Sequence, residues 1–342
     1  MITRIFVALL CVLTASTAQA QDKPRYGGEL VFVVPSEPPS YDGHREGTFG
    51  TVHPLAPSYN TLLRIDPFDR TGTRPAPDLA ESWTMSPDGL TFTFRLRQGV
   101  RFHDGSVLTS RDVKASYDKI VFPPAGVISM RKGSYHAVEA IEAPDPQTVR
   151  FRLKWPEASF LISVASPYNW IYKADILARD IRWYETKVMG TGPFKFVEHV
   201  KGSHWIGRKN PDYWDKGKPY LDGYRAIFMS SSSAQVAALR GERAHIQFRG
   251  FNPADRDALV QALGPKIAVQ ESPWNCVQLE PRAQAVRRQA CAACPDAGAR
   301  PPRGVEDAVA HRRREGGRWH PGAGDAVGHA AGGAGEAGRV RA

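Results

Sequence analysis

Residues 77–113 read PDLAESWTMSPDGLTFTFRLRQGVRFHDGSVLTSRDV. Leu79–Thr84 and Thr91–Arg97 flank Ser86-Pro87-Asp88-Gly89, whose proline and glycine are turn formers, so the stretch predicts strand, turn, strand. In the second run Phe92, Phe94 and Leu96 alternate with Thr91, Thr93, Arg95 and Arg97, giving one apolar and one polar face. Gly99–Gly105 predicts another tight turn. Thr109 then stands three residues before Asp112, the spacing of a capping box, and predicts a helix running through Ile120.

The same grammar extends outward. Gly27-Gly28 lead into Glu29–Val34, a short β-branched apolar run stopped by Pro35, which predicts a buried strand and then a proline-rich loop to Asp42. Ala143–Thr148 is a turn opening a strand with Val149, Phe151 and Leu153 on one face. Strands are also expected from Gly190–Phe196, His204–Asn210 and Ala244–Phe248, and a helix from Ser233–Leu239 ending at Gly241. Strands and helices interleave without a repeat period, which favours a mixed α/β fold. No linker divides this body.

The formal charge of +10 suggests a polyanion partner until it is located. Residues 281–342 hold 11 Arg against 6 acidic residues, whereas 21–280 hold 33 basic against 29 acidic, an ordinary balanced surface that implies no nucleic-acid partner. At the front, Arg4, the apolar run Ile5–Leu13 and Ala18-Gln19-Ala20 predict an export signal over 1–20 with maturation near Gln21. The mature body to Leu279 carries one cysteine, Cys276, so an internal disulfide is not expected.

Six blocks in order resemble the family 5 extracellular solute-binding proteins, the dipeptide and oligopeptide receptors of ABC importers. They are GGELVFVVPSEPPSYD (27–42), YNTLLRIDP (59–67), the run from Pro75 to Ile120, IEAPDPQTVRFRLKWP (141–156), GTGPFKFVEHVKG (190–202) and RKNPDYWDKGKPYLDG (208–223). The resemblance implies a periplasmic binding protein-like α/β fold, type II and cluster C. Residues 21–279 would be lobe I with a mixed sheet, an inserted subdomain at about 47–186 and a hinge at about 271–279. It further implies a periplasmic, non-catalytic, monomeric receptor that takes a peptide or small-solute ligand, holds no cofactor or metal, and is read by ABC permease subunits at the inner membrane.

Past Leu279 the composition changes. Ala, Arg, Gly and Pro make up 43 of the 62 residues from 281 to 342, and Leu, Ile, Phe, Lys, Ser and Thr are absent. Such a segment has few core-forming residues, five valines and one tryptophan beside its alanines, and is expected to be disordered. These four residue types share codons that begin with two G or C bases, so a GC-rich gene read out of frame produces this mixture. Synonymous codons for 280–329 read one base later can spell a run similar to the start of lobe II in this family. A second lobe largely missing and a 280–342 out-of-frame tail are the resulting expectations. On that reading Cys291 and Cys294, although spaced C-x-x-C, bind no metal.

By resemblance, ligand contacts are expected at Thr48 and Phe49 after the first strand, at Tyr135 and Trp170, and at Trp274 and Asn275 near the hinge. For Tyr135 and Trp170 core packing is the stronger alternative, because large aromatics are usually buried. Gly190-Thr191-Gly192 lacks the Lys and following helix of a phosphate loop and is expected to be a strand-entry turn. His103 in the Phe102–Gly105 turn has no partner at catalytic spacing and is expected to be a surface-turn residue. The rival class is an exported hydrolase, but no G-x-S-x-G, H-E-x-x-H or S-x-x-K nucleophile arrangement is expected in the body. A sensor or chaperone on the same scaffold is a further alternative.

Overall fold

The computed structural model describes residues 24–69, 71–248 and 251–269. The expected signal (1–20), hinge (271–279) and tail (280–342), with Trp274, Asn275, Cys291 and Cys294, lie outside the described residues.

In chain order, β1 (Glu29–Val34) precedes α1 (Phe49–Leu55), the strands β2 (Leu63–Ile65) and β3 (Pro75–Pro77), and the hairpin β4 (Ala80–Met85) and β5 (Thr91–Leu96). Next come α2 (Ser110–Val121), the hairpin β6 (Val138–Asp145) and β7 (Thr148–Leu153), and the short helices α3 (Phe160–Val164) and α4 (Ala174–Arg179). The strands β8 (Phe194–Val200), β9 (His204–Lys209) and β10 (Gly223–Phe228) lead to α5 (Ser232–Arg240), β11 (Ile246–Gln247) and α6 (Pro253–Leu263). None of the described helices is long and apolar enough to cross a membrane.

A five-stranded sheet runs in the order β11-β1-β10-β9-β8. β1 pairs in parallel with both β10 and β11, while β9 pairs antiparallel with β10 on one side and β8 on the other, so the sheet is mixed. β1 is apolar on both faces because both are covered. Phe32 and Val34 join one cluster with Val52, Leu55, Trp205 and Tyr224, and Val33 joins another with Ala238, Leu239 and Leu259. Full burial of each of these valines is worth about 1.5–3 kcal/mol.

The segment between β1 and β8 builds a separate four-stranded antiparallel sheet, β4-β5-β7-β6. The expected hairpin is present. Gly89 takes φ +70°, its amide donates to the Ser86 carbonyl at 2.9 Å, and Phe92, Phe94 and Leu96 are buried. Opposite them Val149 and Phe151 come from β7, and Tyr117 of α2 sets its ring edge-on to Phe151 at 5.0 Å. The capping box also holds. Asp112 Oδ2 accepts from the Thr109 amide at 2.8 Å, and Oδ1 accepts from the Ala174 amide at 2.8 Å, tying the start of α2 to the start of α4.

Chain segments distant in sequence meet at Asn60. Its side-chain amide donates to Asp78 Oδ1 at 2.9 Å and to the Tyr213 hydroxyl at 3.2 Å, while its Oδ1 accepts from Thr191 and from the Trp214 indole. Gly190 and Gly192 press against the backbone of Ser58 and Tyr59, and a Cβ on Gly192 would stand 2.4 Å from Tyr59 N. The glycines of this turn are therefore demanded by backbone-to-backbone approach. No anion is needed to explain them.

Candidate ligand-binding face

The loop between β1 and α1 carries the first nominated residues. Asp42, in that loop, forms a buried ion pair with Lys119 of α2, and both side chains are almost wholly inaccessible. Asp42 Oδ1 also accepts from the Tyr172 hydroxyl at 2.9 Å and from the His44 amide at 3.0 Å. Burial works against both charges. The Lys119 charge and the hydrogen bonds from Lys119 and Tyr172 nevertheless hold Asp42 below the usual carboxylate range, whereas burial outweighs Asp42's attraction and lowers Lys119. His44 donates through Nε2 to the Trp170 carbonyl at 2.8 Å, and burial next to the Lys119 charge pushes its pKa down to about 3. It is a neutral structural histidine.

This anchored loop presents Thr48 and Phe49 at the surface. Thr48 is the N-cap residue of α1, and its carbonyl accepts from the Tyr168 hydroxyl at 2.9 Å. Phe49 is 37% exposed and stacks on His53 at 5.2 Å, and His53 stacks in turn on Phe248 at 4.6 Å. This row of rings borders a cavity of about 430 Å³ whose wall is almost entirely apolar, including Leu30, Phe32, Val52, Phe194 and Tyr224. Its size suits a small solute or a peptide side chain. A larger groove of about 920 Å³ lies along β11 and α6.

Tyr135 and Trp170 are placed differently from Thr48 and Phe49. Tyr135 is 2% exposed, donates to the Ser163 carbonyl at 2.8 Å and accepts from Asn169 at 2.7 Å. Trp170 is 1% exposed and lies flat on Tyr59 with ring centres 4.6 Å apart. Both rings are spent in packing, the alternative weighed for them, and neither lines the cavity. Sequence reasoning missed His53, Tyr168 and Phe248 at the cavity. Tyr168 stands in the same Pro167–Trp170 run as Trp170, and only the fold separates the ring facing the cavity from the buried one.

Groups resembling catalytic machinery are occupied. His103 is more than the surface-turn residue expected. Its amide donates to the Gly190 carbonyl at 2.9 Å, and its Nε2 lies 3.1 Å from the Gly192 carbonyl. Burial lowers its pKa to about 4, so it clips one turn to the other as a neutral group. Ser116 and Lys119 correct one expectation, because they do stand at an S-x-x-K spacing. Ser116 Oγ contacts the Asp112 and Tyr172 carbonyls at 2.7 and 3.2 Å, and Lys119 is held by Asp42, so this pair is part of the core.

Comparison with known proteins agrees with this architecture. Residues 74–280 match the family described as "Bacterial extracellular solute-binding proteins, family 5 Middle". The chain is 33% identical over 288 residues to di/tripeptide-binding protein 2 of Pseudomonas aeruginosa, an alignment covering 77% of this chain and 52% of the relative. Among solved structures it is similar to the ABC transporter-associated periplasmic binding protein DppA from Helicobacter pylori in complex with the peptide STSA. That likeness has a TM-score of 0.60 and 32% identity, covering 69% of this chain and 49% of the other. The oligopeptide-binding protein AppA of Bacillus subtilis, in complex with a nonapeptide, gives 0.61 and 26%, covering 70% and 47%. The chain thus spans about half the length of the relatives it matches. The mixed sheet, the six ordered sequence blocks and the match over 74–280 lead to one conclusion: this chain belongs to family 5 of the bacterial extracellular solute-binding proteins.

Proposed function

We propose that the described body is the greater part of one lobe of a periplasmic, non-catalytic receptor that captures a peptide or similar small solute for an ABC importer. Residues 47–186 are its inserted subdomain. The observation carrying this reading is the exposed Thr48–Phe49 edge set beside an apolar cavity of about 430 Å³ and backed by a buried, charge-paired loop. A rigid backing with an open aromatic front suits binding, since affinity follows from ordering few groups on contact. The names of relatives that bind dipeptides, tripeptides and a nonapeptide support the ligand class. The leader over 1–20 supports export, and the balanced charge of 21–280 supports a receptor that meets no nucleic acid.

Contact from these residues alone engages one side of a ligand, so affinity is expected to be about millimolar. Incubating the mature chain with a mixture of di- and tripeptides tests the reading. Native mass spectrometry should show retained peptide, and chromatography of the supernatant should show every peptide intact. Hydrolysis products that scale with protein concentration would establish the rival hydrolase.

A further inference from the structure

We propose that Asp78 is a proton-operated clasp between the four-stranded and five-stranded sheets: protonated, it closes the junction at Asn60, and ionised, it loosens that junction. The device lies outside the candidate ligand-binding face and does not depend on the solute reading. Asp78 stands between β3 and β4 and is 5% exposed. Its Oδ1 accepts from the Asn60 side-chain amide at 2.9 Å, and its Oδ2 accepts from the Thr61 amide at 2.8 Å. Asn60 cannot be turned round, because the Trp214 indole only donates and its N–H points at Asn60 Oδ1. Through Asn60 the carboxyl group is tied to Thr191, just before β8, and to Tyr213 and Trp214, between β9 and β10.

Asp42 and Asp78 are both buried, but among the described residues only Asp42 has a cation paired with it. Arg97 donates through Nε to the Asp78 backbone carbonyl at 2.7 Å and lies over the Trp214 ring, so it serves the main chain and not the carboxyl group. Arg64, exposed on β2, acts on it only through space. On the other facing elements, burial keeps Tyr213 neutral up to about 12 and His103 neutral above about 4, and Asp215 is paired with Lys218 at 2.8 Å. The Thr61 hydroxyl supplies the contact that favours the proton. It lies 2.6 Å from the Leu63 carbonyl and 3.2 Å from Asp78 Oδ2. Leu63 faces Pro77 across the β2–β3 pair, and proline has no N–H to give it, so the single hydroxyl proton goes to Leu63. The contact with Oδ2 then sets lone pair against lone pair when Asp78 is ionised, and becomes a hydrogen bond when the carboxyl group carries the proton. Burial acts in the same direction and raises the folded pKa to about 6.

Side-chain carboxyl carbon shifts and amide hydrogen exchange of the full mature chain test this. An ordinary aspartate titrates near 3.8, so from there to about 6 an opened junction releases a proton that the closed one keeps, and closure weakens as pH rises. The Asp78 carboxyl group should titrate with a midpoint near pH 6. The Leu79 and Gly192 amides donate to the Thr61 and Ser58 carbonyls at 3.1 Å. After correction for the intrinsic exchange rate, their protection should fall about tenfold from pH 5 to pH 7 relative to Asp78→Asn. His44 titrates in the opposite sense, and the comparison with Asp78→Asn cancels it. A carboxyl midpoint at or below about 4 would overturn the proposal. So would a midpoint near 6 with Leu79 and Gly192 protection that tracks Asp78→Asn at every pH. Should Asp78→Asn not fold, the same fall is read in His44→Gln, where the opposing histidine is gone, and constant protection there overturns the clasp.

Discussion

Lys119 of α2 and Asp42 of the loop after β1 form an ion pair with side-chain exposures of 1% and 3%, joining the two sheet systems through the residues that back Thr48 and Phe49. The pair replaces two hydration shells, so it holds only while both partners are present. Lys119→Met leaves the Asp42 carboxylate buried without its cation and should cost about 3–5 kcal/mol in denaturant unfolding. Adding Asp42→Asn to that variant should recover part of the loss. A single-variant cost under about 1 kcal/mol would mean that water reaches the site.

His44 sets an acid limit on the fold. Its folded pKa is about 3, below the ordinary 6.5 that the unfolded chain regains. As pH falls below 6.5 the unfolded state takes up a proton and the folded state does not, so stability is lost on acidification. Between pH 6.5 and pH 5 this group alone should remove about 2 kcal/mol. His44→Gln keeps a donor for the Trp170 carbonyl without a titrating ring, and should lose that much less between pH 7 and pH 5. Parallel stability curves for the two proteins would refute the assignment.

Gly192 makes a steric prediction free of electrostatics. A Cβ there meets Ser58 C and Tyr59 N at 2.4 Å, backbone atoms that cannot swing aside. Gly192→Ala should destabilise by about 3 kcal/mol or more. Gly133→Ala, where a Cβ finds nothing within 4 Å, should stay within about 0.5 kcal/mol of wild type. Thermal unfolding of the two variants gives the comparison.

Much of the fold is visible in the sequence where local patterns carry it. The Phe92-Phe94-Leu96 alternation, the Pro87–Gly89 turn and the Thr109–Asp112 box each encode their own element within a few residues. β10 is not visible in this way. Gly223–Phe228 is interrupted by Arg225, and its strand character comes from parallel pairing with β1, far away in sequence. α1 was equally hidden, because Thr48 offers no side-chain cap and Pro54 sits inside the helix. At the site, the sequence already favours core packing for Tyr135 and Trp170 over Phe49, on the general tendency of large aromatics to be buried. Tertiary packing fixes the outcome, with Phe49 open and the other two closed. Lys119 reads in sequence as an ordinary helix-surface lysine, and its burial depends on a loop some 77 positions earlier.

The most direct measurement of the central claim follows backbone amides of the mature chain while Ala-Phe is added. The account predicts saturable shifts concentrated at Thr48, Phe49, Val52 and Tyr168, largely abolished in Phe49→Ala, with the dipeptide signals undiminished over the experiment. Saturable shifts that cluster away from this edge and survive in Phe49→Ala, or steady cleavage of the dipeptide, would contradict it.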